Sequence, residues 1–153
     1  MNFEPSEEQA IMVESFARLL DVESSPARLR AAMPLGFDER LWHGLAEIGS
    51  FGLRVPEAAG GLDLGLFDTV LLIEEVGRTL ASGPIAETIV AARILAAADE
   101  DELLAAVLAG RTVVTIALHD AASRSSQWVA GGAVAHHVIV RDGDGVYLVA
   151  PKA

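Results

Sequence analysis

The sequence predicts an α+β protein, with an N-terminal all-α domain of about five helices over residues 1–110 and a short, incomplete antiparallel β-domain over residues 111–153. Apolar residues recur at helical spacing as far as Gly110, whereas TVVTIAL, HHVIV and GVYLVA beyond it are short and rich in β-branched residues. Charge changes at the same place, from 19 acidic and 7 basic residues up to Gly110 to 3 acidic and 4 basic after it. With 52% apolar but only 5% aromatic residues in 153, the core is expected to come from Ala, Leu, Val and Ile packed between helices.

The first helix is expected from Ser6 to about Val22. Ser6 and Gln9 stand three apart as a capping box, and Ile11, Phe16, Leu19 and Leu20 follow at roughly helical intervals. Asp38 caps a second helix running through Ile48, with Leu41, Trp42, Leu45 and Ile48 on one face and Gly49 as its stop. A third helix spans Leu66 to Ala81, with a stripe of Leu66, Val70, Ile73, Gly77 and Leu80 widened by Phe67 and Leu71, and a Glu74–Arg78 pair on the opposite side. After the break at Ser82, Gly83 and Pro84, the helix from about Ile85 to Ala98 is apolar nearly all round and should be the most buried. Four acids, Asp99 to Glu102, open a fifth helix where the macrodipole favours them, and Gly110 closes it. Strands are expected over 112–118, 136–140 and 145–150, the last two joined by a hairpin turn at Asp142 to Gly145.

Composition narrows the function. A net charge of −11 repels phosphate backbones and anionic lipid, so neither nucleic acid nor a membrane surface is an expected partner. The absence of cysteine removes disulfides, thiolate metal sites and a cysteine nucleophile together. No basic stretch followed by an apolar run opens the chain and no apolar run reaches membrane-spanning length, so a soluble cytoplasmic protein is expected.

Candidate chemistry is sparse. The Gly-rich stretch SFGLRVPEAAGGLDLG, Ser50 to Gly65, lacks the Lys-Ser or Lys-Thr of a P-loop and the spacing of a dinucleotide fingerprint, so it reads as a turn in which Pro56 fixes direction and Gly60 and Gly61 supply positive backbone angles. His136 and His137 are adjacent on an expected strand and point to opposite faces, so no metal site is expected; His43 and His119 stand singly. Glu74 and Glu75 diverge by about 100° on a helix and cannot act as a paired acid and base. Ser123, Ser125 and Ser126 lack a nucleophile-elbow setting.

Three stretches together resemble the acyl-CoA dehydrogenase family. Residues 41–81, LWHGLAEIGSFGLRVPEAAGGLDLGLFDTVLLIEEVGRTLA, resemble its helix, P-E-x-x-G-G loop and E-E-x-G-R helix. ALHDAASRSS, from Ala117, is similar to the motif ending the first strand of the family's middle domain: Ala117 and Leu118 match, His119 replaces a threonine, Asp120 replaces a glutamate, and Ser125 falls at the family serine. WVAGGAVAH, from Trp128, is similar to a later W-I-T-N-G-x-x-A-D motif, with Trp128, Gly132 and Ala135 in register, Ala130 in place of a threonine and His136 in place of an aspartate. Ser126 and Gln127 alone separate Ser125 from Trp128, where the family has a further pair of strands.

The resemblance implies a flavin-dependent oxidoreductase acting on the Cα–Cβ bond of an acyl-CoA, with FAD met by Leu118, His119, Ser125, Trp128 and Ala130. The family's catalytic glutamate lies, in many members, in a C-terminal helical bundle that these residues do not include, so no catalytic residue is assigned. The chain is therefore expected to be either a fragment of a longer subunit or a partner subunit in an assembly, completed by a catalytic homologous subunit or by self-association; some members acting in steroid catabolism form such mixed assemblies. The resemblance leaves open a non-catalytic interaction subunit and a fragment of a related flavin monooxygenase.

Overall fold

A computed structural model describes residues 4–124 and 126–151. Its helices are α1 (Glu7–Glu23), α2 (Pro26–Ala31), α3 (Glu39–Glu47), α4 (Leu66–Arg78), α5 (Ile85–Ala97) and α6 (Asp101–Leu108). Strands β1 (Val114–Ile116), β2 (His137–Asp142) and β3 (Gly145–Val149) follow, in the sheet order β1-β2-β3.

The α1 capping box forms as expected: Gln9 N–H donates to Ser6 Oγ at 3.2 Å and Ser6 N–H to Gln9 Oε1 at 2.8 Å. Gln9 then donates through Nε2 to Asp68 Oδ1 at 2.6 Å, tying the start of α1 to the start of α4. Helix α2 was not expected, because it buries no side chain and so carries no apolar period, although Ser25 caps it and Pro26 occupies its first turn. Its Arg28 lies against the buried Glu23 carboxylate at 3.4 Å and donates to Asp38; Arg40 pairs with Glu23 at 2.9 Å. Burial raises the Asp38 carboxyl, but the Leu41 N–H and the Arg28 guanidinium outweigh it and hold the group below its ordinary value.

In α3, Leu41, Trp42 and Leu45 enter the core, while Ile48, expected on that face, is exposed after the helix ends. The Trp42 ring packs 5.3 Å from Phe37 and 4.3 Å from Phe51, centre to centre. The Gly-rich stretch contributes Phe51, Leu53 and Val55 to the core, all fully buried, through two 3-10 turns at Ser50–Gly52 and Glu57–Ala59. Residues 62–64 then fold back along it, with Leu62, Asp63 and Leu64 N–H groups donating to the carbonyls of Gly52, Val55 and Leu53. Gly60 has the expected positive φ, 85°, but Gly61 does not. Gly61 is required by closeness instead: a Cβ there would lie 2.1 Å from the Val55 carbonyl oxygen.

Two expectations for the next helix need correction. Its buried side chains are Thr69 and Leu72, whereas Leu66 and Val70 are exposed and, with Ile73, Ile89 and Val90, line an external cleft of about 370 Å³ between α4 and α5. Leu66 is 67% exposed, so the apolar stripe read from spacing is partly a surface. Arg78 pairs with Glu75 at 2.6 Å rather than with Glu74, because Asp21 of α1, at 2.9 Å, draws its guanidinium to that side. Helix α5 is the most buried, with Ile85, Thr88, Ile89, Ala91, Ala92 and Leu95 inside.

The fold is α+β, with six α-helices and a small sheet among the described residues. The expected antiparallel pairing holds for β2 and β3, which register Asp142 with Gly145 across the anticipated turn. Strand β1, however, pairs parallel to β2, Val114 opposite His137, because the intervening residues 117–136 carry the chain back to the same end of the sheet.

Two glycines give opposite predictions. Gly61→Ala meets fixed backbone and is expected to destabilise the chain by about 1–3 kcal/mol, whereas Gly77→Ala, in α4 with nothing within 4 Å of the new Cβ, is expected to stabilise it by about 0.5–1 kcal/mol. Urea unfolding midpoints check both, and equal shifts in one direction would contradict the packing described.

Candidate functional site

The site expected from the sequence lies where β1 ends. Helix α5 places that strand: Thr88, fully buried, donates from Oγ1 to the Val114 carbonyl at 2.8 Å. The ladder with β2 reaches one residue past β1, as Ala117 N–H donates to the Ile139 carbonyl at 2.9 Å. The chain then leaves the sheet at Leu118, which is 74% exposed.

His119 is exposed, and its backbone is fully engaged by one side chain: its N–H donates to Gln127 Oε1 at 3.0 Å and its carbonyl accepts from Gln127 Nε2 at 2.9 Å. This amide clamp closes the 119–127 segment and sets Trp128 beside it, with an indole that is 100% exposed. Ala130 is exposed, and its carbonyl accepts from Thr115 Oγ1 at 2.7 Å, so it sits alongside β1. Ser125 lies outside the described residues. The fold thus gathers Leu118, His119, Trp128 and Ala130 around the last half of β1 and the turn beyond it. Gln127 and Thr115 organise that end, and sequence reasoning missed both because each acts on a main-chain group eight or more residues away.

Asp120, at the position of the family glutamate, is tied into the sheet. Its Oδ1 accepts from the N–H groups of Ala122 at 2.9 Å and Gly143 at 3.0 Å, and Arg141 Nε lies 3.4 Å from Oδ2. The Gly143 and Ala122 donors hold its carboxyl below the ordinary range, outweighing the burial that opposes them, with Arg141 adding to the effect. A carboxylate so engaged acts as a brace between the loop and the β2–β3 turn, not as a base.

These residues fit a flavin on one side only. Leu118 and Trp128 offer uncovered apolar surface suited to a ring system. Among the described residues the hydroxyl donors of the family motifs are missing, because His119 and Ala130 stand in place of threonines, and the His119 backbone N–H is taken by Gln127. No chemical step is therefore derived through the cofactor in this chain.

Because the Asp120 carboxyl is depressed in the folded state, its bracing contribution is complete above the unfolded value of about 3.9 and lost as pH falls through the lower folded value. The Gly143 and Ala122 amide resonances should titrate together with a midpoint below about 3.9. Independent midpoints, or one at the ordinary value, would contradict the brace.

Residues 6–111 match the family model described as acyl-CoA dehydrogenase, N-terminal domain. Acyl-CoA dehydrogenase IpdE2 of Mycolicibacterium smegmatis is 32% identical over 142 residues, which cover 91% of this chain and 44% of that protein. A variant of the Tcur3481–Tcur3483 steroid acyl-CoA dehydrogenase superposes with a TM-score of 0.68 at 34% identity, over 96% of this chain and 40% of the other. The ChsE4–ChsE5 complex from Mycobacterium tuberculosis contains a chain of the same fold, with a TM-score of 0.82 at 23% identity, covering 98% of this chain and 49% of that one. The chain thus spans less than half the length of each of these relatives.

Proposed function

Because the chain belongs to the acyl-CoA dehydrogenase family, we propose that it supplies the N-terminal helical part and one wall of the cofactor site in a flavin-dependent assembly that oxidises the Cα–Cβ bond of an acyl-CoA. FAD, when bound, accepts the hydride in that chemistry. The chain's own contribution is to position and to exclude water. Helix α5 holds β1, Gln127 closes the loop after it, and Leu118 and Trp128 present an apolar face to the ring system. No residue here is assigned as the base. In this reading residues 1–110 form the helical domain and residues 111–153 the partial middle domain.

The observation that carries the proposal is the uncovered apolar end of β1, Leu118 and Trp128, at the position where the family resemblance places the flavin. A second uncovered apolar surface, the α4–α5 cleft with Leu66, Val70 and Val90, supports docking of a homologous catalytic subunit, and one solved relative of the same fold is the ChsE4–ChsE5 complex while another carries the paired name Tcur3481–Tcur3483. The absence of a membrane-length apolar helix among the described residues is compatible with work in the cytoplasm.

A second reading, docking without cofactor contact, is favoured by the missing hydroxyls at His119 and Ala130. The two are separated by co-expressing the chain with a homologous flavin-bearing subunit and recording the visible flavin absorption of the purified complex, for the parent and for His119→Thr with Ala130→Thr. A flavin wall predicts a yellow complex that retains flavin about fivefold to a hundredfold more tightly in the double variant, since each of the two added hydroxyls contributes about 0.5–1.5 kcal/mol. A complex whose flavin retention is the same with and without this chain, and unchanged by the variant, would leave docking alone; failure to form any complex would overturn both.

A further inference from the structure

We propose that the cleft between the start of α3 and the N-terminal ends of β1 and β2 binds a small organic monocarboxylate with an apolar body. The cleft measures about 610 Å³, within the range of small-molecule sites, and lies at the opposite end of β1 from Leu118, so the proposal is independent of the flavin reading. Phe37 and Trp42 give it an aromatic floor, and Glu39, His43, Arg111 and His136 line it.

Its polar groups are mostly donors. The Val113 N–H donates to His136 Nδ1 at 3.0 Å, so the neutral ring carries its hydrogen on Nε2 and offers it as a donor. Arg111 makes no ion pair among the described residues although Glu39 lines the same cleft, which leaves its guanidinium fork available to a carboxylate. Trp42 is only 1% exposed, and its Nε1–H has no acceptor. A buried donor without an acceptor is uncommon and calls for an explanation.

Gly110 is where these groups meet. A Cβ there would lie 3.7 Å from Trp42 Cδ1, on the pyrrole edge beside Nε1, and 3.8 Å from His43 Nδ1. That Cβ would also lie 2.8 Å from the Ala46 Cβ, so the bare backbone of Gly110, at φ 69°, is what lets the strand entry pack this closely on α3. An acceptor in the cleft would meet the Arg111 guanidinium and the His136 Nε2–H over the aromatic floor to which Trp42 belongs. Glu39 adds one negative charge, which tolerates a monoanion bound by Arg111 but opposes a more highly charged anion such as phosphate. In a chain of net charge −11, affinity for any anion has to be local.

The chain holds two tryptophans, so Trp128→Phe leaves Trp42 as the single indole reporter. The 15N-labelled full chain carrying that substitution is titrated with phenylacetate and, separately, with inorganic phosphate, with and without Arg111→Gln. The proposal predicts a saturable shift of the Trp42 indole N–H resonance with phenylacetate, weakened about tenfold or more by Arg111→Gln, and no saturable shift with phosphate. A non-saturating response to phenylacetate, an Arg111→Gln titration that matches the parent, or an equal response to phosphate would each overturn it. Arg111 is exposed, so the variant's fold is verified by the unchanged remainder of the same spectrum.

Discussion

The sheet depends on one hydrogen bond from a helix. Strand β1 is an edge strand, and the Val114 carbonyl is buried on the side away from β2, where a missing partner would cost about 1–3 kcal/mol. Thr88 of α5 supplies that partner from a fully buried hydroxyl. Around it, Ile85, Ile89 and Ala92 bury the rest of the helix face. Position and direction of β1 are thereby set by α5, and everything beyond Gly110 inherits them: β2 by parallel pairing, β3 by the hairpin, and the Leu118–Ala130 loop by leaving from the end of the strand.

Charge then fixes what apolar packing leaves free. Glu23, Arg28, Asp38 and Arg40 join the end of α1 to α2 and the start of α3, and Asp68 receives Gln9 while capping α4. At the other end of the molecule, Asp120 performs the same service for the loop after β1. Each of these carboxylates is held by main-chain donors, by a guanidinium or by both, so each stabilises geometry and none is poised for proton transfer.

Much of this was legible in the sequence because it rests on local chemistry. The Ser6–Gln9 box, the Asp38 cap, the all-round apolar α5 and the Gly143–Asp144 turn are written within four to thirteen consecutive residues. Illegible features depend on distant partners. Spacing could not tell that Leu66 and Val70 face an open cleft, since an apolar stripe looks the same whether a neighbour of this chain or of another covers it. Asp21 redirects Arg78 from 57 residues away, and nothing near Gly61 announces that the Val55 carbonyl will lie against it. Parallel pairing of β1 and β2 was equally hidden, because a strand's direction is decided by where its connection runs. At the candidate site the family motifs name the positions to look at, but what holds those positions in place, the Gln127 clamp and the Thr115 bond, consists of side chains acting on main-chain atoms and leaves no pattern.

The Gly-rich stretch, read from sequence as a turn, also builds the core, with Phe51, Leu53 and Val55 fully buried and the chain folded back along them. Function in this reading lies instead at the end of β1, which α5 aims. Thr88→Val tests that dependence most directly, because it keeps the side-chain shape while removing the Val114 carbonyl's partner. Amide hydrogen exchange at Ala117 should accelerate about tenfold or more, with the amides within α1 and α3 little changed. Unchanged exchange at Ala117, or acceleration spread equally over those helices, would contradict the account.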